Sequence, residues 1–233
     1  MENVLITGAN KGLGLSLTKV FLDSGSRVFA GIHHESEYIS NLKKQFQDRL
    51  FFSSIDVTSE MSVKEFRKVV TAHTSSLDIL INNAGILIRK TLDNTIENID
   101  IANMKKTFEV NSIGPLIVLK YFINMIEKGK RKIVLNITSR AGSISICKRV
   151  AWYDYCMSKT AINMGSKILQ NYLKEKGVKV LAMHPGWMRT EMGTLEADIS
   201  SDESAAGIIE LVNREWDIDD NIYFNYSGKR LEW

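Results

Sequence analysis

The chain has 233 residues, of which 44% are hydrophobic and 24% charged, with two prolines and two cysteines; this balance suits one domain with a sizeable core, and no Pro-, Gly- or Ser-rich stretch offers a place to divide it. The 30 basic residues stand against 27 acidic ones with no basic cluster, which removes the electrostatic basis for a nucleic-acid or membrane-surface protein. Cys147 and Cys156 supply neither a disulfide framework nor a metal site, and Met1–Asn10 reads as strand and turn instead of a secretory leader, so a reducing cytoplasm is the expected location.

In chain order, the first apolar run of strand length is Val4–Thr7, followed at once by Thr7–Gly14, TGANKGLG, and then by helical spacing over Leu13–Asp23 that stops near Gly25. Glycines at 8, 12 and 14 between a strand and a helix let backbone N–H groups approach a pyrophosphate, which the positive end of the helix also favours. The second run, Arg27–Ile32, ends in His33 and His34 with no carboxylate before Glu35. An acidic residue there would bond the ribose 2′-hydroxyl of NAD; its absence, with Lys11 inside the phosphate loop, favours NADP(H) over NAD(H).

Leu50–Ile55 is the third run, followed by Asp56-Val57-Thr58 and a helix over Met61–Ala72 capped by Thr58 or Ser59. Leu77–Asn82 is the fourth and runs into Asn83, Ala84 and Gly85. The apolar stretch Ile113–Ile126, broken by Pro115 and Lys120, is too short to span a bilayer and reads as buried helix, with Asn111 just ahead of a Gly114-Pro115 kink. Lys132–Ser139 is the fifth run, and a helix over Tyr155–Lys174 follows. Val178–His184 leads into Pro185-Gly186, and Ile222–Asn225 is the last run. This alternation predicts an α/β fold, a single-domain Rossmann-type doubly wound parallel sheet of about seven strands with helices on both faces. Irregular stretches at Gly85–Ile96, Arg140–Trp152 and Trp187–Ser201 all follow strand C-terminal ends, the edge where such sheets bind ligands.

A tyrosine four residues before a lysine occurs twice, as Tyr155/Lys159 and Tyr172/Lys176. On a helix either pair shares one face, and an ammonium there favours tyrosinate, lowering a phenol pKa of about 10 toward the working range. Tyr155 opens its helix near the ligand edge; Tyr172 closes it just before Gly177, where a surface role is expected.

TGANKGLG, Asp56-Val57-Thr58, NNAG at Asn82–Gly85, Asn111, Ser139, Tyr155 with Lys159, and Pro185-Gly186 together resemble a short-chain dehydrogenase/reductase over nearly the whole chain. HPGWMRTEM at His184–Met192 and FNYSGKRLEW at Phe224–Trp233 are similar to the C-factor-like, or sniffer-like, carbonyl reductases. The resemblance implies a catalytic set of Asn111, Ser139, Tyr155 and Lys159. Tyr155 exchanges a proton with the carbonyl or alcohol oxygen, Ser139 bonds that oxygen, Lys159 also holds the nicotinamide ribose, and Asn111 holds a relay water. It implies further cofactor contacts from Gly8, Asn10, Lys11, Gly12, Leu13, Gly14, His33, Asp56, Val57, Asn83, Ala84, Gly85, Val110 and Ile137. Pro185, Gly186, Met188 and Thr190 would meet the carboxamide.

Residues 1–130 would mainly bind dinucleotide and 131–233 would carry catalysis and the small-molecule substrate. The substrate walls fall to Leu87, Ile88, Arg140–Trp152 and Trp187–Leu195, where Trp152 and Trp187 suit a hydrophobic carbonyl compound and Arg140, Lys148 and Arg149 suit an acid or solvent. Excess apolar residues on the Tyr155–Lys174 helix, Ala161, Ile162, Met164, Ile168 and Leu169, suggest a homodimer or homotetramer, as the family commonly forms, or packing within the monomer. Two other readings compete with a carbonyl reductase: a dinucleotide-binding regulatory protein of C-factor type with little or no turnover, and a nucleotide-sugar epimerase or dehydratase, whose longer substrate domain this chain lacks.

Overall fold

The computed structural model describes residues 1–88, 95–217 and 221–233. Its strands are β1 (Asn3–Thr7), β2 (Arg27–Ile32), β3 (Leu50–Ser54), β4 (Ile79–Asn82), β5 (Ile133–Ile137), β6 (Lys179–His184) and β7 (Tyr223–Asn225). They form one sheet in the order β3-β2-β1-β4-β5-β6-β7 with every neighbouring pair parallel. The helices are α1 (Gly12–Asp23), α2 (Glu37–Gln45), α3 (Glu60–Thr71), α4 (Ile101–Phe108), α5 (Gly114–Ile126), α6 (Tyr153–Leu173) and α7 (Ser201–Val212). This is the doubly wound Rossmann-type sheet that the strand-helix alternation predicts.

Strand periodicity divides the core in two. Side chains alternate across a strand, so Val4 and Ile6 of β1, Ile79 and Ile81 of β4 and Leu135 of β5 share one cluster with Leu17 and Phe21 of α1 and Ile208 and Leu211 of α7. Leu5, Leu80 and Val134 face the other way and pack with Phe66 of α3 and Phe122 of α5. Because both faces are covered, the strands read as continuous apolar runs. Each such fully buried side chain stabilises the fold by roughly 1.5–3 kcal/mol before entropy is counted.

Three boundaries differ from the sequence expectation for identifiable reasons. Leu77 and Asp78 stand outside β4 because the Asp78 carboxylate accepts from Asn3 N at 2.8 Å and Lys130 N at 2.7 Å, tying down the sheet's lower edge. Lys132 has φ 54° and so cannot belong to the extended run of β5. The strand also stops at Ile137, two residues short of Ser139, which instead caps a 3-10 turn over Arg140–Gly142.

The long helix predicted around Pro115 is interrupted by a π turn over Glu109–Ile113. Pro115 has no N–H to give the Asn111 carbonyl, four residues earlier, and Gly114 N donates to the Glu109 carbonyl instead. Gly114 is there because α5 lies tight on the sheet's top: a β-carbon would come within 2.8 Å of Val57. Turns of this kind concentrate at functional sites, and this one carries Val110 and Asn111.

Candidate active site

The turn between β1 and α1 is built around atoms that leave no room for side chains. Gly8 sits at φ +66°, and a β-carbon there would approach Ala84 Cα at 2.9 Å; one on Gly14 would lie 2.1 Å from the Gly8 carbonyl oxygen. Asn83 Nδ2 donates to the Thr7 and Gly8 carbonyls at 2.9 and 3.1 Å, while Thr7 Oγ1 accepts from Asn83 N and Ala84 N. NNAG therefore braces the loop from the neighbouring strand. Lys11 is the N-cap residue of α1 and offers no side-chain cap, so the first N–H groups of the helix keep their capacity to bond an anion. Asn10 holds the next loop through its carbonyl, which accepts from Ser36 Oγ at 2.9 Å.

At the end of β2, His33 and His34 are exposed and meet edge to face at 4.1 Å. Glu35 accepts a bond from Ser40 Oγ at 2.6 Å. Asp56 lies across from His33; bonds from the Thr58 hydroxyl and N–H hold its carboxyl below the usual range, with His33 a smaller influence in the same direction. Val57 is buried beside it.

On α6, Tyr155 is half-buried and Lys159 is buried. The Lys159 ammonium lies 5.7 Å from the Tyr155 ring centre and donates to the Ile137 carbonyl at 2.9 Å. Burial pushes its pKa down to about 8, and among the described residues no carboxylate pairs with it. A β-carbon on Gly85 would stand 3.3 Å from Asn111 Oδ1 and 3.7 Å from Lys159 Nζ, so β4, the π turn and α6 converge on one point.

Asn111 gives both ends of its amide to the backbone of Ile86, accepting from its N–H at 2.8 Å and donating to its carbonyl at 2.9 Å. Its Nδ2 also reaches Ser158 Oγ at 3.1 Å, and Ser158 in turn donates to the Tyr155 carbonyl at 2.8 Å. The side chain thus fixes the strand edge and the tyrosine-bearing turn. A relay water at this residue would fall to its carbonyl, which Pro115 leaves without an α-helical donor.

Ser139 is largely buried; its Oγ accepts from Ala141 N at 3.1 Å, and its carbonyl accepts from the buried hydroxyl of Tyr223 at 2.7 Å. Accepting one bond leaves that hydroxyl able to donate. Tyr223 and Ser158 were not singled out from the sequence. Ser158 lies between Tyr155 and Lys159, a position that could have drawn attention; Tyr223, stacked on Trp233 at 4.7 Å, gave no sequence signal.

The other tyrosine-lysine pair has different surroundings. Tyr172 is 65% exposed, and Lys176, 5.1 Å from its ring, is paired with Glu127 at 2.7 Å. That ammonium is already neutralised at the surface.

Beyond β6, the Pro185 carbonyl accepts from Ser204 Oγ at 2.6 Å, and Gly186 sits at φ +87° against Ile199 and Tyr226. Met188 bridges to Ile199, Thr190 Oγ1 accepts from Gly193 N at 3.2 Å, and the Thr190 methyl lies over Gly12. Glu191 pairs with Lys11, so this segment touches the glycine-rich turn between β1 and α1. Behind it a cavity of about 240 Å³ is lined by Arg140, His184, Trp187, Asn225 and Tyr226. His184 Nδ1 is buried with no hydrogen-bond partner among the described residues, and burial, aided by the charges of Arg140 and Lys159, pushes its pKa down to about 4. Leu87 and Ile88 are partly buried in irregular structure after β4; the predicted irregular stretch from 89 through 94 lies outside the described residues.

A family model for short chain dehydrogenases matches residues 2–200. The chain belongs to the short chain dehydrogenase family. Among its relatives, the C-signal protein of Myxococcus xanthus is 31% identical over 69% of this chain and 95% of its own length. The NADPH-bound carbonyl reductase from chicken fatty liver superposes with a TM-score of 0.90 at 29% identity, covering 100% of this chain and 99% of that one. Carbonyl reductase Sniffer of D. melanogaster superposes with a TM-score of 0.93 at 25% identity over 100% of both chains. This short chain dehydrogenase thus falls with the C-factor-like and sniffer-like members that its motifs resemble.

A dinucleotide fits the residues present. The glycines at 8 and 14 let the turn pack against Ala84 and on itself with no side chain in the way, the start of the following helix is uncapped, and among the described residues no carboxylate pairs with the buried ammonium. Among the described residues no His, Cys, Asp or Glu cluster is arranged to hold a metal, and no helix is long and apolar enough to cross a membrane.

Proposed function

We propose that this short chain dehydrogenase is an NADP(H)-dependent oxidoreductase that moves a hydride between nicotinamide and a small carbonyl or alcohol substrate, with Tyr155 as general acid and base. The observation that carries the proposal is the buried Lys159 ammonium beside Tyr155, with no acid among the described residues to neutralise it. When bound, the dinucleotide supplies the hydride. Gly8, Asn10, Lys11, Gly12, Leu13 and Gly14 would hold its phosphates, His33, Asp56 and Val57 its adenosine end, and Asn83, Ala84, Gly85, Val110 and Ile137 the ribose floor. Pro185, Gly186, Met188 and Thr190 would take the carboxamide.

The protein's own groups do the proton chemistry. The Ser139 hydroxyl donates to the substrate oxygen and stabilises the charge that develops there. The Tyr155 hydroxyl gives its proton to that oxygen in reduction and recovers it in oxidation. Lys159, fixed by the Ile137 carbonyl, favours tyrosinate electrostatically, and Asn111 keeps the edge of β4 and the first turns of α6 in register. On this reading residues 1–130 serve mainly the dinucleotide and 131–233 the reaction.

Support for NADP(H) comes from Lys11 inside the glycine loop, from His33 and the absence of a carboxylate at the end of β2, and from the NADPH carried by the chicken carbonyl reductase. Lys11 meets Glu191 in a solvent-exposed pair, which a 2′-phosphate can displace. Fluorescence titration is expected to show NADPH binding at least tenfold tighter than NADH, with Lys11→Glu removing most of the difference. Equal or tighter NADH binding overturns the cofactor assignment. Oxidation of NADPH should then be measured against a panel of aldehydes, ketones, diketones and quinones.

A regulatory protein with little turnover is the second reading, favoured by the likeness to C-signal; tight cofactor binding with uniform inactivity across that panel would select it. We also propose a homodimer or homotetramer in the cytoplasm. Leu116 of α5 and Met164 and Ile168 of α6 are 41%, 62% and 59% exposed, an apolar strip that a second copy could cover, whereas Ile162 is buried within the monomer.

A further inference from the structure

The loop from Ser139 to Tyr155 walls a second cavity, of about 340 Å³, lined by Arg140, Ala141, Ser143, Ile146, Lys148 and Arg149, with Cys147 on its rim. Three of these side chains are cationic, and among the described residues no carboxylate lines the cavity. Among the described residues none of the three makes an ion pair; Arg149 instead stacks on Trp152 at 4.6 Å. Cations left together in a concavity are unusual, since a solvated charge cluster gains nothing from like charges gathered round one hollow.

The cavity is tied to the reacting groups at both ends. Ala141, part of its wall, gives its N–H to Ser139 Oγ at 3.1 Å. Gly142 lies so close to α6 that a β-carbon would stand 2.5 Å from the Lys159 carbonyl carbon. At the far end Arg149 lies on Trp152, the N-cap of α6, three residues before Tyr155; Trp152 holds a left-handed conformation, φ 68°, that a bulky residue adopts only when its surroundings impose it. The loop is therefore positioned, with its charges placed beside the carbonyl-reducing centre.

We propose that this cavity receives a carboxylate carried by the substrate, so that the preferred substrates are carbonyl compounds bearing an acid group remote from the reacting carbonyl. Arg149, held over the Trp152 ring, has the fork of N–H donors that fits a carboxylate, Arg140 and Lys148 add charge, Ser143 offers a hydroxyl, and Ile146 meets the apolar part. This rests on the function proposed above.

A matched pair tests it: 4-carboxybenzaldehyde and its methyl ester differ in charge and share the aldehyde. The intact enzyme with NADPH is expected to show a kcat/KM about tenfold higher for the acid at low salt, a difference equivalent to one charged hydrogen bond, and the preference should shrink in 0.5 M NaCl. Lys148→Glu and Arg149→Gln should each remove most of the preference, lowering kcat/KM for the acid several-fold more than for the ester. Lys148 is an exposed residue of the loop, so its replacement tests the idea even if Arg149→Gln disturbs Trp152. Equal use of acid and ester, or a preference indifferent to salt and to both substitutions, overturns the inference while leaving the reductase reading intact. Failure to turn over either compound, with NADPH bound, overturns both.

Discussion

Tyr155→Phe is expected to lower kcat by a factor of about 10²–10⁴, the usual contribution of one positioned general acid, with NADPH affinity and thermal stability close to those of the parent. The substitution removes one oxygen from a half-buried ring and keeps the ring's packing, including the face that Lys159 approaches at 5.7 Å. The hydride donor, the phosphate loop and Ser139 all remain, so the loss measures proton transfer alone. Tyr172→Phe is the internal control. That phenol is exposed and its lysine is paired with Glu127, so its removal should leave turnover unchanged. Steady-state kinetics of the two variants, run beside a cofactor titration, check the assignment; retention of turnover by Tyr155→Phe with loss in Tyr172→Phe would reverse it.

Lys159→Met should have effects of opposite sign on activity and on the stability of the cofactor-free protein. Burial holds the lysine at about 8 when folded against 10.5 for an ordinary lysine, so at pH 7 the fold keeps a charge that its interior disfavours. That difference corresponds to about 3 kcal/mol, offset by about 1.5 kcal/mol for the lost charge-assisted bond to the Ile137 carbonyl. The variant is therefore expected to gain about 1–2 kcal/mol at pH 7 and to lose turnover by about 10²–10⁴.

The pH dependence follows from the same depression. Between pH 8 and 10.5 the unfolded chain binds more protons at this site than the folded one, so the parent gains stability as pH rises through that window. Below pH 8 both states are protonated and the penalty is constant. Calorimetric melting from pH 6 to 10 should show the variant's advantage narrowing above pH 8; a variant less stable at every pH would contradict the buried-charge account.

Much of the fold is legible because a parallel sheet covered on both sides needs unbroken apolar runs, and seven such runs appear in the sequence with helix-length segments between them. The phosphate loop is legible for a related reason: glycines at 8 and 14 are forced by backbone approaches under 3 Å. Tyr155 stands at the start of α6, sixteen residues after Ser139, whereas Tyr172 stands at its exposed end, and the sequence distinguishes the two positions. Local rules do not reveal long-range partners, however. Nothing near Lys132 in the sequence announces its positive φ, and nothing near Asn111 reveals that its amide is spent on Ile86, 25 residues away. Tyr223 supports the Ser139 carbonyl across 84 residues and is equally silent. The charges at 140, 148 and 149 could be counted but not placed, since a loop's curvature depends on what it rests against, here α6 and Trp152.

The most direct test of the reductase assignment follows the hydrogen itself. NADPH carrying deuterium at C4 of the nicotinamide should be incubated with the enzyme and an aldehyde, and the product examined by mass spectrometry and NMR. One deuterium on the former carbonyl carbon, formed by the parent enzyme and in far smaller yield by Tyr155→Phe, is the predicted result. Tight NADPH binding with no deuterated alcohol from any aldehyde or ketone, or equal yields from the two proteins, would contradict it.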